Sequence, residues 1–132
     1  MNLVNSVLFD GAFDDAVSAA REALAANGFG VLTEIDVGAT LKKKLDVEHP
    51  ATLILGACNP PLAHRALVAE PDVAAVLPCN VVVRQLASGQ IEVAAMDPQI
   101  MAQMVDNDEI NAVAKEVDAR MQKVLAAIQG AQ

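Results

Sequence analysis

The chain contains no tryptophan and no tyrosine, three phenylalanines and two cysteines in 132 residues. Three aromatic rings cannot form the stacking platform on which single-stranded nucleic acid is bound. Two cysteines cannot supply the framework of a secreted disulfide scaffold. Basic side chains are also scarce. Nine Lys and Arg against seventeen Asp and Glu leave a net charge of −8, which suits no phosphate backbone. No apolar run approaches the roughly 18 residues of a membrane span. Met1 to Phe9 holds no Lys or Arg and no small-residue cleavage site, so no signal peptide is expected. The chain therefore reads as a cytoplasmic protein with neither nucleic acid nor membrane as partner.

Hydrophobic residues make up 54% and charged ones 20%, the balance of a folded chain rather than a disordered one. At 13.8 kDa, residues 1–132 suit a single domain able to hold a core without metal or disulfide staples. Twenty-five alanines imply a core packed from small aliphatic groups. Charge is unevenly spread: residues 1–36 carry six acids and one Arg, while Lys42, Lys43 and Lys44 form the one basic run. That run fits the solvated face of a short helix, with contact to an anionic ligand as the alternative.

Periodicity divides the chain into short elements. Leu3 to Phe9 reads as a strand. Phe13, Ala16, Val17, Ala20 and Leu24 recur at helical spacing, with Asp14 and Asp15 in the first turn and Gly28 placed to end the helix. Phe29 to Asp36 predicts a strand, and Val37, Leu41 and Leu45 predict a short helix. Ala51 to Ala57 is apolar throughout and predicts a buried strand. Asn59-Pro60-Pro61 supplies a helix cap and first turn, so a helix is expected to Ala69, before Pro71. A helical turn at Asp72 to Leu77 precedes a hairpin of Cys79 to Leu86 and Gln90 to Met96, joined through Ala87-Ser88-Gly89. Asp97 is expected to cap a short helix carrying Met101 and Met104 as core filler. A long amphipathic helix follows from Ile110 to Ile128.

Four stretches carry a family resemblance: Gly28-Phe29-Gly30-Val31-Leu32-Thr33-Glu34-Ile35-Asp36, Leu41-Lys42-Lys43-Lys44-Leu45, Gly56-Ala57-Cys58-Asn59-Pro60-Pro61, and Leu77-Pro78-Cys79-Asn80-Val81-Val82-Val83. Together with Asp97-Pro98 they cover most of the chain, which resembles the bacterial and archaeal family known as domain of unknown function 302. The resemblance implies an α+β fold of β-α-β-β-β-β-α order, with short extra helices and an antiparallel sheet of about five strands packed by helices on one side. It further implies a homodimer, and no established reaction, ligand or catalytic residue.

Chemistry concentrates at two Cys-Asn steps, each beside a Pro. Cys58 ends a predicted strand and precedes a helix N-terminus capped by Asn59, where unpaired N–H groups and the helix dipole favour a thiolate. Parallel strands would put Cys58 and Cys79 at opposite ends of the sheet. Antiparallel neighbours, which the resemblance implies, put them at the same end, where His64 can join them. The candidate ligand-binding residues are thus Cys58, Asn59, His64, Cys79 and Asn80, and the candidate nucleophiles are Cys58 and Cys79.

Several readings stay open: a pocket for a small molecule or partner, a thiol-redox or sulfur-handling pair, and packing residues in a structural or interaction domain. A soft-metal site would need His64 or His49 as a third donor, and the spacing assigns no metal. Glu34 and Asp36, two apart on one strand, read as exposed edge carboxylates, with an acid/base couple as the alternative. Met96, Met101 and Met104 are too weak a signal for copper or haem.

Overall fold

The computed structural model describes residues 2–131. Five strands, β1 (Val4–Phe9), β2 (Gly30–Asp36), β3 (Thr52–Cys58), β4 (Cys79–Gln85) and β5 (Ile91–Met96), form one sheet. Its order is β1-β5-β4-β3-β2, and every neighbouring pair is antiparallel. The helices are α1 (Phe13–Ala26), α2 (Val37–Leu45), α3 (Pro60–Ala69), α4 (Gln99–Met104) and α5 (Asp108–Gly130), with a 3-10 helix over Pro71–Val76. This is the α+β architecture the resemblance implies.

Each element follows from a local cause. In α1, the stripe Ala16, Ala20, Ala23 and Leu24 is buried against the sheet, and Gly28 takes the left-handed φ of +85° that lets the chain reverse into β2. The N-terminus of α5 is capped by Asn107, whose Oδ1 accepts from the amides of Glu109 and Ile110 at 2.9 and 3.1 Å. Its apolar face, from Ile110 to Ile128, is buried along its length and packs on α1, α3, α4 and β1. Leu55, Val81, Val83, Ile91 and Val93 line the sheet face beneath, all essentially inaccessible to water. No helix among the described residues is long and apolar enough to cross a membrane.

One sequence expectation needs correction, and one alternative falls away. Met101 is buried but Met104 is 63% exposed, because α4 ends at that residue and its last turn faces solvent rather than α5. Glu34 and Asp36 form no acid/base couple: Glu34 pairs with Arg21 at 2.7 Å, and Asp36 turns into the cap of α2, accepting from the Ala39 amide at 2.9 Å. The apolar stripe of α2 finds no core, and none of its nine residues is buried. Lys42 in the basic run pairs with Asp46 and Glu48 at 2.8 and 2.9 Å.

Candidate functional site

The antiparallel register of β3 and β4 sets Ala57 opposite Cys79, so Cys58 and Cys79 come to the same end of the sheet on adjacent strands. Cys58 is half-buried and Cys79 buried, and both are free thiols. They line one cavity together with Phe29, just before β2, Leu62 and Ala63 from α3, Met101 from α4, and Val113 and Val117 from α5. Its volume is about 20 Å³. That is room for one or two water-sized groups, and a cavity with apolar walls stays dry.

Burial, and secondarily electrostatic repulsion between the two neighbouring sulfurs, push the Cys79 thiol up to about 11. At neutral pH its thiolate fraction is on the order of one in ten thousand, so Cys79 is a neutral, weakly polar part of the wall.

Asn59 also lines the cavity. It is the one buried polar residue among those described, and both ends of its amide are engaged. Oδ1 accepts from the Leu62 amide at 3.1 Å, capping α3, while Nδ2 donates to the Gly28 carbonyl at 3.0 Å. One side chain therefore ties the start of α3 to the reversal after α1. Gly28 suits this position because its φ of +85° strains any side chain, and a Cβ there would crowd the Asn59 amide nitrogen and Arg120 Nη1 at 3.0 Å. Arg120 in turn donates to the Asn27 carbonyl at 3.3 Å from α5. No buried side-chain polar atom among the described residues lacks a partner, so the cavity offers no polar group waiting for a ligand.

The remaining candidates lie elsewhere. Asn80 alternates with Cys79 along β4 and is exposed on the opposite sheet face. His64 is exposed on the outer side of α3, in a shallow depression with Arg65, Val68 and Glu109. Its neighbour Arg65 is committed to Glu109 and Glu116 at 2.7 and 3.1 Å, a link that fastens α3 to α5. His49 precedes the opposite end of β3, where its Nδ1 lies 2.8 Å from the Pro50 carbonyl oxygen. A seven-residue strand separates it from Cys58, roughly 20 Å at the usual rise. Neither histidine stands as a third donor beside the thiols.

Residues that sequence reading passed over prove important at this end. Gly56 is required because a Cβ would collide with the Thr33 hydroxyl and lie 2.9 Å from Pro78 Cγ. Arg120 gave no signal, being one charge on a long amphipathic helix. Phe29 stood inside a recognisable motif, but nothing local marked it as a cavity wall.

A family model described as Domain of unknown function DUF302 matches residues 6–128. Among solved structures, the chain is similar to the crystal structure of an uncharacterized conserved protein DUF302 from Bacillus stearothermophilus, at 25% identity and a TM-score of 0.88. The alignment covers 96% of this chain and 98% of that one. A search of the curated proteins gave no match.

Proposed function

The chain belongs to the family described as Domain of unknown function DUF302, and from that premise we propose a binding domain that acts as a homodimer. Its cavity beside Cys58 and Cys79 receives a small apolar group of a ligand or partner. The observation that carries this reading is the cavity itself: apolar walls drawn from the sheet, α3, α4 and α5, with the half-buried Cys58 beside them. Asn59 serves this site as a positioning residue, since its amide is spent on Gly28 and Leu62. At about 20 Å³ the space admits a methyl-sized group and no whole metabolite, for which pockets of roughly 300 Å³ and more are usual.

Xenon, which fills dry apolar cavities, is a direct probe. Methyl NMR of the full chain under xenon is expected to show shifts at Leu62, Met101, Val113 and Val117 that vanish in Ala63→Leu, which fills the cavity from α3. Unmoved methyls at those positions, or shifts that persist in Ala63→Leu, would defeat the reading.

A second reading has one observation in its favour: two free thiols share the cavity on adjacent strands. In it Cys58 is the nucleophile and Cys79 the resolving partner, the pair yielding a disulfide, two protons and two electrons to an added oxidant. The raised Cys79 thiol weighs against it, because thiolate is the attacking species. Intact mass after mild oxidation separates the two readings. Loss of two hydrogens, reversed by reductant, favours the redox pair; an unchanged mass favours the binding site.

A further inference from the structure

The 3-10 helix and the end of α4 flank an apolar groove of about 450 Å³. Val76, Met101, Met104 and Val105 form its floor, and Glu70, Asp72 and Asp106 stand around it. Met101 is the one residue this groove shares with the cavity beside the thiols, so the two are separate spaces. Met104 keeps 63% of its surface in water here instead of turning to the core. The charges are one-sided. Between Arg65 and Lys115 the chain carries a single basic residue, Arg84, which pairs with Glu92 on the sheet at 2.8 Å. Among the described residues, none of Glu70, Asp72 and Asp106 takes part in an ion pair.

We propose that this groove is a second binding site, which takes a small organic cation bearing an apolar chain. Charge complementarity selects the sign, because three carboxylates without a basic neighbour concentrate cations and repel anions. Spacing selects an organic cation over a metal ion. No three His, Cys, Asp or Glu among the described residues come together in a way that could hold a metal, so the carboxylates surround the groove instead of converging on a point. The floor selects the chain, since its apolar side chains shed water only against hydrocarbon. Met104, flexible and polarizable, adapts to the shape laid on it. The volume lies within the roughly 300–1,000 Å³ usual for small-molecule pockets. Acidity alone makes no such site. The depression at the start of α1 also carries three acids, Asp10, Asp15 and Glu22, but apart from Phe9 it offers only small side chains such as Gly11, Ser18 and Ala19.

Methyl NMR of the full chain titrated with n-hexylammonium tests this. The methyls of Val76, Met104 and Val105 are expected to shift to saturation, with the Ala19 methyl in the α1 depression unmoved. Hexanoate, a chain of the same length with the opposite charge, is expected not to bind. Propylammonium, three methylenes shorter, is expected to bind about tenfold more weakly. The double variant Asp72→Asn, Asp106→Asn changes two exposed positions and is expected to fold as the wild type does. It is expected to lose about tenfold in hexylammonium affinity, roughly threefold per charge. Unmoved groove methyls, saturation by hexanoate, equal affinity for propylammonium, an unchanged affinity in the double variant, or Ala19 shifts as large as those of Met104 would each overturn the proposal.

Discussion

The two ends of β3 are built from the same chemistry with opposite results. After Cys58, Asn59 caps α3; after β2, beside the start of β3, Asp36 caps α2. Both caps accept one backbone amide, at 3.1 and 2.9 Å. Asn59 does so in a dry junction, where it also holds the Gly28 carbonyl and where α3 buries Leu62 and Ala66. Asp36 does so in water, and α2 buries nothing. A local motif therefore starts a helix at either end, but a cavity is enclosed only where several elements converge. The difference teaches that the cap is common and the junction is what makes a site.

The largest contrast is expected from truncating one leucine at each end. Leu62→Ala removes a side chain that is 4% exposed and is expected to cost about 2–5 kcal/mol in denaturant unfolding. Leu45→Ala, at 65% exposure, is expected to cost less than about 0.5 kcal/mol. Comparable losses would erase the distinction between the ends.

Next comes alkaline pH. The Cys79 thiol is raised in the folded chain from 9.0 to about 11, so between those values the native state holds a proton that the unfolded chain has released. That contribution is intact below pH 9 and is lost as pH rises through about 11, an expected fall of about 2–3 kcal/mol in unfolding free energy. The chain has no tyrosine to titrate in the same window. Cys79→Ala is expected to flatten the fall relative to wild type, and an unchanged pH slope would show that the thiol is not sealed.

The caps sharpen the comparison at smaller scale. Asn59→Ala loses the α3 cap and leaves the Gly28 carbonyl without its donor, for an expected cost of about 2 kcal/mol. Asp36→Ala loses one exposed bond and is expected to cost about 0.5 kcal/mol. Chemical denaturation of the two variants side by side measures the gap. Equal costs would mean that burial adds nothing at the closed end.

Much of this was legible in the residues. Period-two and period-3.6 patterns, with Gly28, Asn59 and the prolines as punctuation, mark every strand and helix within a few positions. The meeting of Cys58 and Cys79 was legible only conditionally, because strand direction is a property of the whole chain; the family resemblance supplied the antiparallel choice. Three of the five residues expected at the site share the cavity, while Asn80 and His64 do not. For Asn80 the reason is strand alternation, which places the neighbour of a buried residue on the other face. For His64 it is helix rotation, since Leu62 and Ala66 take the inward face of α3. Gly56 and Arg120 were invisible because their roles arise from Thr33, Pro78 and Asn27, which lie far away in sequence.

Site-resolved thiol labelling at neutral pH tests most directly the claim that one thiol at the closed end is reachable and the other sealed. With a small methylating disulfide reagent and mass mapping, Cys58 is expected to label in the native protein, and Cys79 at the rate of unfolding. Native-state labelling of Cys79 at the rate of Cys58, or silence at Cys58, would contradict the account.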